Sequence, residues 1–175
     1  MGRKKNGLIH IEEFLTKRLA HKIKQDLTDL RIVKESDLEC CIYHHLRVFL
    51  QDDNEWRVLA RRYSPQTGRY PDFLIFHKGA PRVAIELKWN RGRISKKDRQ
   101  SLGESISKLD VDRAYFITTL IDKPYQPTQK TKIEMERLKE IPIALGLSGS
   151  ELERWKDQRK KFKHISGDDT SEKGS

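Results

Sequence analysis

This sequence has few cysteines and no long apolar runs. Its two cysteines, Cys40 and Cys41, are adjacent in the chain. Adjacent cysteines supply neither a disulfide framework nor the ligand spacing of a zinc site, so we exclude both and expect free thiols. No apolar stretch approaches the roughly 20 residues that span a bilayer, and none follows Met1–Gly7 as in a signal peptide. We therefore expect a cytoplasmic protein without membrane contact.

Positive charge, in contrast, is in excess. Lysine and arginine number 36 against 26 aspartate and glutamate residues, which gives a net charge of +10 and a pI of about 9.6. Such a surface attracts polyanions in a salt-dependent manner, so we expect a nucleic acid partner, DNA ahead of RNA. The length of 175 residues suits one domain with a modest core and extensions.

Two apolar strands joined by a turn carry the most informative residues. The pattern predicts strands over Arg69–His77 and Arg82–Asn90, with Lys78–Pro81 as the turn. If the hairpin is centred near Gly79, Asp72 lies directly opposite Glu86. Directly opposed residues share a face, with Cβ atoms about 4.5–5.5 Å apart. One cation could then bridge the two carboxylates.

Side-chain alternation along the second strand adds an ammonium group to the same face. Lys88 lies two residues beyond Glu86 and points the same way, whereas Val83, Ile85 and Leu87 point to the other side. The pattern therefore predicts two carboxylates and one amine at a single place on the sheet.

This grouping suits a hard divalent cation. Mg²⁺ prefers oxygen ligands and is usually held by one or two carboxylates plus substrate phosphate. Such a metal lowers the pKa of a bound water and neutralises charge developing at phosphorus. Lys88 could orient or deprotonate that water, and its pKa could fall beside the cation. The alternative is a solvated sheet face on which Glu86 and Lys88 are ordinary surface charges.

With Pro71-Asp72 followed by Glu86-Leu87-Lys88, the chain resembles the PD-(D/E)xK nuclease superfamily over roughly Ser36 to Thr119. The resemblance implies an α/β, restriction-endonuclease-like core with a central mixed β-sheet flanked by helices. It also implies Mg²⁺-dependent phosphodiester hydrolysis, with Mn²⁺ able to substitute. Asp72 and Glu86 are the matching metal ligands, and Lys88 completes the catalytic set.

Members of this superfamily often carry a further acidic residue on the helix before the first strand, and a Gln or basic residue on the helix after the Glu-x-Lys strand. Glu39 and Gln100 are the nearest candidates. Glu39 has a second interpretation, because Ser36-Asp-Leu-Glu39 is a capping box in which the Glu carboxylate returns to the Ser36 backbone. Glu104, not Tyr, lies four residues after Gln100, so the exonuclease-like form of the motif is absent.

Basic residues are dense just beyond Lys88, at the start of the following helix. We expect them to contact phosphates, helped by the backbone N–H groups of the helix N-terminus. A solvated basic loop is the alternative. The candidate nucleic-acid-binding residues are Arg69, Arg91, Arg93, Lys96, Lys97, Arg99 and Gln100.

The rest of the chain divides around this core. We predict a basic helical extension over residues 1–34, a nuclease core over 35–122, a C-terminal helical extension over 123–165 and a disordered tail over 166–175. Within these, the patterns predict a first strand over Trp56–Tyr63, a strand over Arg113–Thr119, and helices over Lys96–Leu109 and Lys130–Glu140.

The sequence thus predicts a metal-dependent DNA endonuclease. The leading alternative is a nucleic-acid-binding protein that keeps the fold and no longer cuts, and a third is a basic surface that serves a protein partner. Junction resolvases, restriction enzymes and repair nucleases share the motif, so the form of the substrate stays open, as does a homodimer.

Overall fold

Five strands form one mixed, open sheet in the computed structural model, which describes residues 2–60, 71–127 and 136–165, with side chains from residue 7 to residue 162. The strands lie side by side in chain order: β1 (Trp56–Ala60), β2 (Phe73–His77), β3 (Ala80–Lys88), β4 (Arg113–Leu120) and β5 (Leu138–Ala144). The first three are antiparallel, and β3, β4 and β5 are parallel. The predicted α/β class with a central mixed sheet flanked by helices is confirmed.

Helices cover both faces of this sheet. They are α1 (Gly2–Glu13), a π-helical segment (Phe14–Leu19) that continues into α2 (Ala20–Thr28), α3 (Glu35–Leu50), α4 (Lys96–Lys108) and α5 (Gly149–Ile165). Apolar residues near the N-terminus recur at helical spacing and are buried in the main core, namely Ile11, Phe14, Leu15, Leu19, Ile23 and Leu27. Ile9, by contrast, is exposed. Within the described ranges, no helix combines the length and apolarity that crossing a membrane requires.

The two faces of β3 belong to different layers. Val83, Ile85 and Leu87 pack against the layer formed by α1, α2, α3 and α5. Ala84 packs on the opposite side with residues of α4 such as Leu102. Because strand side chains alternate, Glu86 and Lys88 share the α4 side with Ala84.

The β2–β3 hairpin is tighter than predicted. His77 pairs with Ala80, so the turn consists of two residues, Lys78 and Gly79, with φ angles of 52° and 80°. Positive φ at both central positions is the geometry of a type I′ turn, which matches the twist of the flanking strands. The expectation that Ala80 and Pro81 belong to the turn is wrong, since β3 begins at Ala80.

A bulge in β3 then restores the predicted register. Phe76 pairs with Pro81 whereas Ile75 pairs with Val83, so Arg82 is an extra residue on β3. Pro81 is tolerated in this strand because it lies next to the bulge.

The segment predicted as a C-terminal helical extension contains a strand of the central sheet. A helix through Glu140 is wrong, because β5 begins at Leu138 and pairs in parallel with β4. The strand is at the edge of the sheet, where Pro142 can be accommodated because one side of an edge strand has no ladder to complete. The folded core therefore extends past residue 122.

Some predictions fall on residues that are not described. These are the end of the first strand (residues 61–63), the start of the second (69–70), most of the predicted helix over 130–140, and the tail over 166–175.

Candidate active site

The hairpin positions the three residues of the motif. Phe73 pairs with Ile85, so Asp72, one residue earlier, lies across from Glu86. Leu74 packs on the α4 side of the sheet, and alternation places Asp72 on that side too. Pairing and alternation thus bring Asp72 to the side of the sheet that carries Glu86 and Lys88, and the charge of Asp72 acts on the Glu86 carboxyl.

Asp72 is fixed against β3 by its carboxylate. Its Oδ2 accepts a hydrogen bond of 2.7 Å from the backbone N–H of Leu87. This contact ties the start of β2 to the strand that carries Glu86 and Lys88. The carboxylate is half-buried, so its charge acts on neighbouring groups with little screening by water.

Glu86 is the most unusual ionisable group of the site, because a charged side chain is rarely buried without full pairing. It is 7% exposed. Its Oε1 accepts a hydrogen bond of 2.7 Å from Nζ of Lys88. Its Oε2 is buried and has no hydrogen-bond partner among the described residues. An oxygen in that condition is costly unless a ligand uses it.

The surroundings of Glu86 favour its protonated form. Burial, and then the negative charge of Asp72, raise the pKa of Glu86 to about 7, against the lowering effect of Lys88. Asp98 raises it further. The carboxyl therefore titrates near neutral pH, which is characteristic of groups placed for function.

Lys88 is a firmly protonated ammonium in this arrangement. Burial acts to lower its pKa, but the hydrogen bond and charge of Glu86, with the charges of Asp98 and Asp72, raise the pKa above its usual value. Its Nζ lies 3.6 Å from Oδ1 of Asp98. In this state Lys88 is a hydrogen-bond donor and a positive charge, and is poorly suited to accept a proton from water.

Asp98 joins the site from α4, and the sequence patterns did not single it out. Ser95 caps the helix, and its Oγ accepts from the Asp98 backbone N–H at 3.1 Å and donates to Asp98 Oδ2 at 2.6 Å. The signal was present as Ser-x-x-Asp, a cap that holds a carboxylate at a helix N-terminus. It was hidden because Asp98 stands within a run of basic residues.

A broad open cleft of about 1560 Å³ begins at Glu86 and Lys88. Asp72 is not among the residues that line it. The β3–α4 connection and the first turn of α4 form one wall. The predicted phosphate-binding residues on this wall are Arg91, Arg93, Lys96, Lys97 and Arg99. The structure thus brings five of the seven predicted nucleic-acid-binding side chains to the same cleft as the motif.

Of the other two, Gln100 lies away from the cleft and Arg69 has no described position. Gln100 is exposed on α4 and donates to Glu104 Oε1 at 2.9 Å, and it does not line the cleft. Its position on the helix is the reason, because Asp98 and Ser101 occupy the side of α4 that faces the cleft. Arg69 lies outside the described residues.

The role predicted for Glu39 in capping belongs to Asp37. Helix α3 begins at Glu35, one residue before the predicted cap, so Asp37 takes the third helical position. Its Oδ2 accepts from the backbone N–H groups of Val33 and Lys34 at 3.0 and 3.2 Å. The capping interpretation of Glu39 is therefore wrong.

Another carboxylate of α3 reaches the end of β3. Glu35 Oε2 accepts from the backbone N–H of Trp89, next to Lys88, at 3.2 Å. Glu39 is half-buried on the same helix. The charges that act most strongly on Glu86 are those of Asp72, Lys88 and Asp98, not that of Glu39.

Within residues 2–60, 71–127 and 136–165, no three His, Cys, Asp or Glu side chains are grouped so as to hold a metal ion by themselves. A magnesium site built from two carboxylates, water and substrate phosphate does not require such a group.

No protein-family model matches the chain, and no curated protein is significantly similar to it in sequence.

Proposed function

We propose that this protein is a Mg²⁺-dependent endonuclease of the PD-(D/E)xK type, with a restriction-endonuclease-like core, that hydrolyses phosphodiester bonds in DNA. The observation that carries the proposal is the state of Glu86. This buried carboxylate has a pKa raised to about 7 and one unpaired oxygen, and it stands at the edge of a cationic cleft. Structural carboxylates are not normally held in this way.

The residues present suit Mg²⁺. Oε2 of Glu86 is a buried oxygen without a hydrogen-bond partner among the described residues, and Asp72 lies across the hairpin from Glu86. Both are hard oxygen donors, the type that Mg²⁺ prefers. When bound, Mg²⁺ supplies an acidified water and charge neutralisation at phosphorus. Asp72 and Glu86 would hold it.

The chain's own residues divide the remaining tasks. The Leu87 N–H fixes the orientation of Asp72, and Lys88 fixes Glu86 through Oε1, leaving Oε2 for a ligand. Lys88, as an ammonium, is placed to donate a hydrogen bond to the attacking water or to a phosphate oxygen. Asp98 holds Lys88 from the α4 side. Preorganised donors of this kind stabilise charge that develops in the transition state.

The cationic residues of the cleft wall favour a substrate that carries phosphate groups. Arg91, Arg93, Lys96 and Lys97 are exposed and line the cleft beside Lys88. They follow the end of β3 and surround the N-terminus of α4, where backbone N–H groups and the helix dipole also favour anions. Contacts of this type position the DNA backbone and carry no sequence information.

A protein that binds DNA and does not cut is the competing proposal. Binding alone would be served by the exposed cations of the cleft wall. It gives no reason to bury Glu86 with a raised pKa, which destabilises the folded chain at neutral pH. Such strain is usually retained where it serves chemistry.

The test is cleavage itself. Purified protein is incubated with supercoiled plasmid, linear duplex and branched DNA, with Mg²⁺ and with a chelator, beside a Glu86→Gln variant whose folded state is confirmed by thermal unfolding. We expect Mg²⁺-dependent cleavage of at least one substrate by the wild type and none by the variant. Binding without cleavage on all three substrates would favour the competing proposal.

A further inference from the structure

The cleft has a second wall that the motif does not explain. Residues 121–127 follow β4, and no sequence pattern assigned them a function. Lys123, Pro124, Gln126 and Pro127 of this segment line the same cleft as the basic wall formed by residues 91–99. We call residues 121–127 the second wall.

Side-chain contacts hold the second wall in place. Asn90, at the end of β3, donates from Nδ2 to Asp122 Oδ1 at 2.9 Å, and its Oδ1 accepts from the Ile121 N–H at 3.0 Å. The hydrogen bond from Asn90, ahead of the charge of Lys156, lowers the pKa of Asp122. Tyr125 donates its hydroxyl to Glu140 of β5. These contacts anchor the wall at two side chains.

Backbone contact joins the two walls directly. The Gln126 N–H donates to the Gly92 carbonyl oxygen at 2.7 Å. A Cβ at position 92 would lie 2.5 Å from the carbonyl oxygen of Pro124, closer than real Cβ contacts allow. Only glycine permits this approach, so the position of the second wall depends on the absence of a side chain at residue 92.

The wall presents groups suited to phosphate. Lys123 and Gln126 are exposed and line the cleft, one as a cation and the other as an amide donor. The neighbouring charge of Asp122 is engaged by Asn90 and lies 3.6 Å from Nζ of Lys156. Both walls of the cleft therefore carry phosphate-binding groups.

We propose that the second wall binds the sugar–phosphate backbone of the nucleic acid through Lys123 and Gln126 and holds it against Glu86 and Lys88. This inference rests on the proposed function, because it assigns the partner of the same cleft. The wall acts as a rigid clamp. Its geometry is set by the contact at Gly92, and the contribution of Lys123 is electrostatic.

Neutralisation of Lys123 tests the contact. Binding of a short duplex is measured in chelator over a range of salt for wild type, Lys123→Ala and Lys123→Arg. Lys22→Ala, which removes an exposed charge on α2, is the matched control. We expect Lys123→Ala to flatten the slope of log K against log salt by about 0.9, Lys123→Arg to restore it, and the control to leave it unchanged. An unchanged slope in Lys123→Ala would overturn the proposal.

Gly92→Ala tests the clamp, with Gly103→Ala as its control. A Cβ at residue 103 of α4 meets no atom within 4 Å, and Ala favours a helix interior by about 1 kcal/mol. We expect Gly92→Ala to slow Mg²⁺-dependent cleavage at saturating DNA by up to about 100-fold, the size of effect that a small misplacement can have. Gly103→Ala should cleave like the wild type, and melting temperatures confirm that both variants are folded.

The two proposals fail separately. If the wild type cleaves and both wall variants behave like it, the clamp is refuted and the nuclease stands. If no substrate is cut and Lys123→Ala still flattens the slope of log K against log salt, the second wall is a nucleic-acid contact and the proposed nuclease activity is refuted.

Discussion

The guanidinium of Arg159 lies 5.0 Å from the ring centroid of Trp89, the residue that follows Lys88 at the end of β3. Its Nε also donates to the backbone oxygen of Val33 at 2.6 Å, just before α3. Helix α5 therefore braces the strand end that carries the candidate site. Trp89 packs in this contact and against the main core, which explains an aromatic residue at the end of β3.

Loss of this brace should lower stability more than it changes the chemistry. Arg159→Ala removes a cation–π contact of about 0.5–2 kcal/mol and a hydrogen bond worth roughly 0.5–1.5 kcal/mol. We expect the free energy of unfolding to fall by about 1–3 kcal/mol in urea titrations. Lys160→Ala, on the exposed side of the same helix, should change it by less than about 0.5 kcal/mol. Equal stability of the two variants would argue against the brace.

The metal carboxylates give the most direct prediction. Asp72→Asn and Glu86→Gln should each slow Mg²⁺-dependent cleavage by more than about 100-fold, since loss of an outer partner of a metal ligand already costs about 10–100-fold. DNA binding in chelator should persist, because the cationic wall is intact. Glu104→Gln, on α4 outside the cleft lining, is the control. Normal cleavage by either site variant would refute the assignment.

The raised pKa of Glu86 predicts how the metal-free protein responds to pH. A carboxyl whose pKa rises from 4.5 to about 7 on folding stabilises the fold below pH 4.5, and this contribution disappears as the pH rises towards 7. The shift corresponds to about 3 kcal/mol. We expect unfolding free energies in chelator to decrease between pH 5 and pH 8, and the decrease to be largely absent in Glu86→Gln. A wild-type profile that is flat or rises over this range would contradict the prediction.

Lys88 is predicted to act as a donor. Lys88→Met should lose at least about 100-fold in cleavage rate, because the preorganised ammonium is gone. Lys88→Arg keeps a permanent charge that cannot act as a base and should retain measurable activity. Removing Lys88 also removes the charge that lowers the pKa of Glu86, so titration calorimetry should show that Lys88→Met needs a higher pH to bind Mg²⁺. Complete inactivity of Lys88→Arg with normal metal binding would instead favour a proton acceptor.

The basic wall is predicted to hold phosphates without reading bases. Lys96→Ala combined with Lys97→Ala should weaken binding to unrelated duplexes about equally and flatten the salt slope by roughly 0.9 for each phosphate that is no longer neutralised. The pair Lys17→Ala and Lys22→Ala, exposed near the N-terminus, removes the same charge elsewhere. A change of sequence preference with an unchanged slope would identify base-reading residues.

The β2–β3 hairpin shows most clearly how much of the candidate site could be predicted from the sequence. Alternation alone placed Glu86 and Lys88 on one face and Leu87 on the other, because a strand offers only two sides. The opposition of Asp72 and Glu86 was also predicted, although from a turn of the wrong length. The site residues that are close in sequence were therefore within reach.

Contacts between segments that are distant in the sequence could not be predicted. Strand β5 has a helix-like run before it, and its pairing with β4 is a parallel contact that no local pattern encodes. Asp98 looked like part of a basic run until its cap and its contact with Lys88 could be seen. The capping role of Glu39 was wrong because the helix start was predicted two residues too late, with Ser36 in place of Lys34 as the N-cap, and element boundaries are the least certain part of such predictions.

The extra residue at Arg82 decides which side chains oppose one another across the hairpin. An odd number of residues, 73–85, separates Asp72 from Glu86, whereas a two-residue turn with a regular ladder leaves an even number between opposed residues. If the same chain paired without the bulge, Asp72 would oppose Ile85. Every side chain of β3 after Arg82 would then point to the other face of the sheet.

That alternative register would bury Glu86 and Lys88 in the main core and turn Leu87 towards α4. Because burying charges away from their partners is strongly unfavourable, the free energy of core packing itself selects the bulged hairpin. Any molecule that completes its core has thereby aligned the two carboxylates, so the population of folded but misregistered chains should be negligible. Folding alone therefore aligns the two carboxylates of the candidate site, and this alignment requires no bound metal or substrate.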